Sequence, residues 1–195
     1  VDPFELLVTE DLTDKSIEEV ESAFLKKEEG RILFLGRIPV ASLHATFLAG
    51  IYMNLMNVVG KAAKGLIVNS AKNEGMRAGK SIRRKYVERF GELTEDVALK
   101  VVRNVITVWD KCFGWGIFEF EVIDEVISIK VWDSFEALGC RRIRKDCNIP
   151  MCWMLLGYIW GMLEGLLESK LVGEEKMCLA KGDEHCLFEF RRDQS

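Results

Sequence analysis

Four residues, Cys152, Glu175, Cys178 and Cys186, constrain this chain more than any others, because they can converge only if distant segments fold onto one point. Three thiolates and a carboxylate make a donor set for a single tetrahedral ion, and zinc suits soft sulfur with one oxygen best. The spacing is E-x2-C-x7-C over 175–186, with Gly182 and Asp183 placed to turn the chain between the last two cysteines. A set of four leaves no open position for water or substrate, so such an ion would hold the fold rather than react. Cys152 follows Ile149-Pro150-Met151 at the start of an apolar segment. A helix beginning there offers unpaired N–H groups and a dipole that favour a thiolate. The residues alone leave other readings open. His185 can replace Glu175 as fourth ligand, the thiols can be buried core cysteines without metal, or Cys178 and Cys186 can form a disulfide in an oxidising compartment.

A chain of 195 residues, 49% of them hydrophobic, suffices for one core. The net charge of -4 disfavours nonspecific nucleic-acid binding, although two basic clusters stand out: Arg77 to Arg89, and Arg141-Arg142-Ile143-Arg144-Lys145. Each reads as a solvated face or as a dock for an acidic partner. Residues 1–30 are acidic and amphipathic rather than a basic leader, and six cysteines without a leader predict a reducing, cytoplasmic setting. The stretch 38–60 carries no charge, but Pro39, Ser42, His44, Thr46, Asn54 and Asn57 argue against a membrane span. It reads instead as a helix over 41–59, buried in a core or across a subunit interface, with His44 a hydrogen-bonded core histidine.

Along the chain, the runs 4–8 and 31–35 read as strands around a small acidic helix at 16–27. A second helix continues over 61–73, weakened by Gly75 and Gly79. A third opens on Thr94 and ends near Lys111. From Gly116 to Asp133 the period changes to two: Phe118, Phe120 and Val122 oppose Glu119 and Glu121, then Ile127, Ile129 and Val131 oppose Ser128 and Lys130. That predicts an antiparallel hairpin turning at Asp124-Glu125, with 187–191 as a further strand. The order of elements reads as α+β, an antiparallel sheet packed with helices. The helix from 151 to 170 sets Gly157, Gly161 and Gly165 in register, each costing about 1 kcal/mol relative to alanine. Close approach of another backbone accounts for three such residues better than a ligand slot does.

With these elements laid out, the C-terminal half resembles the 4-vinyl reductase domain family. The resemblance is carried by Gly114-Trp115-Gly116 before a hairpin, Pro150-x-Cys152, the glycine-spaced helix, and Glu175-x2-Cys178-x3-Gly182-Asp183-x2-Cys186-x-Phe188. It covers residues 110–190 by motif and reaches back to the helix at 41 by element order alone. It implies a fold similar to the ligand-binding domain shared by nitric-oxide sensors and Golgi transport-particle subunits. On that reading residues 1–195 form a single domain whose N-terminal part, 1–109, makes a homodimer through its long helices. It implies zinc held by Cys152, Glu175, Cys178 and Cys186. Aromatic-effector sensor domains of bacterial transcription activators belong to the same family, which points to a binding protein for an aromatic or hydrocarbon ligand, acting as sensor or carrier through a protein partner.

The candidate ligand-binding residues are Trp132, Trp109, Trp115, Phe113 and Tyr158, with Trp132 foremost because it closes the strand that borders the effector in that family. Two alternatives accompany this reading: a vinyl reductase or accessory of tetrapyrrole metabolism, and a transport-particle-like scaffold. The sequence offers no catalytic residue for the first, since no G-x-G-x-x-G follows a strand and no general acid stands out.

Overall fold

The computed structural model describes residues 2–144 and 147–194. Lys145, part of the second basic cluster, lies outside them. The chain opens with α1 (Pro3–Thr9), α2 (Ile17–Phe24) and a small antiparallel sheet β1 (Leu25–Glu28), β2 (Arg31–Phe34), β3 (Ile38–Val40). The apolar run at 4–8, expected as a strand, is therefore helical. Asp2 accepts from the Phe4 amide and Pro3 occupies the first turn, where its missing N–H is harmless.

Three helices follow: α3 (Ala45–Val59), α4 (Ala62–Phe90) and α5 (Glu95–Val108), the last running into a π-helical turn over Trp109–Phe113. Thr94 caps α5 as its sequence predicts. His44 corrects an expectation, since it stands exposed at the N-terminal boundary of α3 and not in the core. Only Ala49 and Tyr52 of α3 are buried, while Phe47, Ile51 and Val58 are 59%, 45% and 80% exposed, which makes this apolar helix a surface one. Among the described residues no helix is long and apolar enough to cross a membrane.

The rest of the chain is β4 (Ile117–Ile123), β5 (Val126–Trp132), α6 (Phe135–Ile143), α7 (Trp153–Leu167), β6 (Leu171–Met177) and β7 (Cys186–Arg192). The predicted hairpin forms in register from Ile117 opposite Trp132 to Ile123 opposite Val126, turning through left-handed Asp124 and Glu125. The sheet order is β4-β5-β7-β6, all antiparallel. Ile129, Val131, Phe188 and Phe190 point inward and are fully buried, while Lys130 lies between Glu119 and Glu121 on the outer face. Burial of each such side chain stabilises the fold by about 1.5–3 kcal/mol.

α7 is apolar on nearly all sides because it lies inside the molecule. α4 runs along its glycine row as one unbroken helix. A Cβ on Gly161 would collide with the Lys72 carbonyl oxygen, and one on Gly165 would lie 2.7 Å from that of Met76. From α4, Gly75 and Gly79 meet the carbonyls of Tyr158 and Met162 in the same way. The glycines on both helices are thus one feature: the backbones approach too closely for side chains. At the crossing, Glu164 Oε1 accepts from Lys72 Nζ (2.9 Å), Trp160 Nε1 (3.0 Å) and the Leu171 amide (2.9 Å). Arg83 on α4 donates to the Leu166 carbonyl at 2.9 Å and pairs with Glu168 at 2.8 Å, closing the C-terminal end of α7.

Candidate metal centre and aromatic groove

Each member of the four-residue set is delivered by a different local device. Cys152 is the residue preceding the first turn of α7, Glu175 lies on the inward face of β6 beside Leu171 and Gly173, Cys178 precedes a short 3-10 turn (Leu179–Lys181), and Cys186 begins β7. A bulge between Glu175 and Met177 shifts the β6 register against β7. Gly182 takes the left-handed conformation (φ 102°) that ends the 3-10 turn, and the Asp183 carboxylate accepts from the Cys178 amide at 2.7 Å. The turn expected at Gly182-Asp183 is formed and braced.

One ligand atom from each of Cys152, Glu175, Cys178 and Cys186 lies within 4.8 Å of all the others, and all four residues are buried. The Cys152 sulfur is 3.4 Å from that of Cys186 and 4.0 Å from that of Cys178. Ligands of a tetrahedral zinc at ordinary Zn–S distance stand roughly 3.8 Å apart, so the spacing brackets the requirement. Both Glu175 oxygens are buried without a hydrogen-bond partner, a costly arrangement that a cation beside them would relieve. Burial, then the neighbouring Cys178 sulfur, push the Glu175 carboxyl up to about 9. Hydrogen bonds from Cys152 and Cys178 pull Cys186 down to about 5. A divalent ion is the agent that satisfies an anionic oxygen and thiolates together, so the donors fit one.

Around the four, amides point at sulfur: Met151 N–H at Cys178 (3.4 Å) and Leu179 N–H at Cys186 (3.3 Å), with the Ser134 hydroxyl 3.2 Å from Cys152. Such partners orient ligands and tune their charge. Ser134 is absent from the sequence reading, and so is Glu136, whose carboxylate accepts from the Met154 and Leu155 amides at 3.0 and 2.8 Å and from the Tyr52 hydroxyl. It caps α7 from α6, directly behind Cys152. His185 is not part of the cluster, since its ring lies 5.4 Å from that of Trp132. All six cysteines are free, so Cys178 and Cys186 form no disulfide.

Of the five aromatic candidates, four meet. Trp109 packs on Trp115 (5.0 Å between ring centroids) and edge-on against Tyr158 (5.2 Å), and Trp115 continues to Phe113 (5.9 Å). Trp132 lies apart with His185. Phe118 joins the cluster through Trp109 at 6.3 Å and also lines an open groove of about 330 Å³ between α5 and β4. Arg103, Ile106 and Thr107 from α5 face Phe118 and Phe120 across this groove, and the Arg103 guanidinium sits 5.3 Å from the Phe120 ring.

Residues 127–192 match the 4-vinyl reductase domain family. The chain is 26% identical over 168 residues to the transcriptional regulatory protein XylR of Pseudomonas putida, an alignment covering 82% of the chain and 28% of XylR. It thus spans under a third of that relative's length. In fold it is similar to the phenol-responsive sensory domain of the transcription activator PoxR, solved with phenol, at TM-score 0.67 and 20% identity over 90% of this chain and 88% of that one. It is also similar to an H-NOX protein from S. oneidensis, at TM-score 0.52 and 11% identity over the whole of both chains.

Proposed function

Since the chain belongs, through residues 127–192, to the 4-vinyl reductase domain family, we propose that it binds an aromatic small molecule and signals its presence through a partner, on a scaffold that zinc holds closed. The observation that carries the reading is the groove between α5 and β4, backed by Phe118 and the Trp109–Trp115–Tyr158 cluster behind it. Ring faces with a few polar groups at the rim are what small aromatic ligands need, and Arg103 and Thr107 supply the rim. The likeness to the phenol-responsive PoxR domain and to XylR supports the same class of ligand.

In this reading Cys152, Glu175, Cys178 and Cys186 hold the zinc, whose part is to tie the β6–β7 hairpin to the start of α7. β7 pairs with β5, and β5 pairs with β4, so the tie reaches the wall of the groove through two strand pairings. The whole chain acts as one binding unit, and two copies join through α3, whose Phe47, Ile51 and Val58 present an uncovered apolar stripe.

Calorimetric titration of the zinc-loaded protein with phenol and methylphenols tests the ligand. The expected result is saturable binding that weakens by about tenfold in Phe118→Ala, with circular dichroism unchanged. Absence of heat with every phenol tried, from protein of native dichroism, removes the reading.

A further inference from the structure

A second hollow, of about 400 Å³, opens between the start of α1, the β2–β3 turn and the C-terminal half of α4. Pro3, Phe4 and Leu35 supply its apolar wall, and Arg37, Lys85 and Arg89 its cations. The charges do not balance. Arg89 is taken up by Asp2 at 2.6 Å, and the second carboxylate of the hollow, Glu88, lies 4.0 Å from Arg84. Among the described residues, neither Arg37 nor Lys85 has an ion-pair partner, although every arginine of α4 has one. Lys85 is only partly exposed, and burial followed by the nearby charges of Arg37 and Arg84 pulls its ammonium below the usual lysine range.

Two further features suit a ligand. Phe4 lies beneath the cations, its ring centroid 5.5 Å from Lys85 Nζ and 5.7 Å from the Arg89 guanidinium. Leu35, on the wall, holds a left-handed backbone (φ 52°) next to Gly36 (φ 69°), a conformation that costs a leucine of order 1 kcal/mol and that brings Arg37 round to the hollow.

We propose that this hollow binds a small aromatic carboxylate, its acid group between Arg37 and Lys85 and its ring against Phe4, Pro3 and Leu35. Two uncompensated cations ask for an anion, and the apolar wall asks for a body attached to it. The site lies on residues separate from the groove between α5 and β4, so it stands or falls independently of the phenol reading.

Benzoate is the probe, followed by amide shifts in nuclear magnetic resonance of the full zinc-loaded chain. The expected result is saturable shifts at Phe4, Leu35, Arg37 and Lys85 below about 10 mM, weakened about tenfold or more in the Arg37→Gln/Lys85→Met double variant. Neither side chain is in an ion pair, so the variant keeps its fold, and Phe4→Leu, weakening benzoate by about threefold, gives a second reading. Inorganic phosphate, which lacks the ring, is expected to bind at least about tenfold more weakly than benzoate. Phosphate binding as tightly as benzoate, benzoate binding indifferent to the double variant, or shifts confined to Phe118 and Arg103 would each overturn the proposal.

Discussion

The Tyr52 hydroxyl donates to Glu136 Oε1 at 2.5 Å, joining α3 to the carboxylate that caps α7. Both side chains are buried, at 2% and 1% exposure, so neither can replace the other with water. Removing the hydroxyl in Tyr52→Phe is expected to cost about 1–2 kcal/mol, and Glu136→Leu about 3 kcal/mol or more, since two amides and a phenol then lose their acceptor. Urea denaturation measures both. Equal costs would mean that Glu136 does not act as the shared acceptor.

The glycine row yields a paired prediction. Gly161→Ala forces α4 away from α7 at the Lys72 carbonyl and should destabilise by about 2–3 kcal/mol. Gly65→Ala lies on the exposed face of α4 with open space around it and should stabilise by about 0.5–1 kcal/mol. Thermal melts of the two variants should move in opposite directions.

The uncovered stripe on α3 predicts a dimer. Ile51→Glu should leave circular dichroism intact and convert the protein to a monomer in sedimentation velocity. A wild-type monomer at high protein concentration would refute the interface.

Legibility in sequence follows how local each signal is. The β4–β5 hairpin can be read because alternation of Phe118, Phe120, Ile129 and Val131 with charged residues reports the two faces of a sheet directly. The four metal-centre residues can be read because donor chemistry survives without coordinates. β6 cannot: its inward positions are Leu171, Gly173 and Glu175, a pattern in which a buried carboxylate stands where an apolar residue signals a strand. The apolar run of α1 looks like a strand, and only the Asp2 cap with Pro3 behind it distinguishes a helix. Gly75 and Gly79 suggest a weak helix because propensity counts their entropy cost and not the partner helix that needs the space. Ser134, Glu136 and Tyr52 reach the site from elements far apart in the chain, and no spacing rule links them. The aromatic cluster is legible as composition, while the position of Trp132 outside it depends on strand register and packing.

Zinc removal should loosen the molecule unevenly. Chelation at neutral pH is expected to lower the melting temperature by about 6–12 °C, equivalent to about 3 kcal/mol for a chain of this size. Amide exchange should rise first in β6, β7 and the start of α7, and least along α4. Uniform loosening would mean that the ion ties no particular segment.

The most direct measurement is zinc-edge X-ray absorption on protein purified without chelator. The account predicts one zinc per chain with three sulfur neighbours at about 2.3 Å and a single oxygen at about 2.0–2.2 Å, the oxygen lost and the sulfurs kept in Glu175→Ala. A chain that takes up no zinc, or one whose spectrum shows imidazole in place of the Glu175 oxygen, would contradict it.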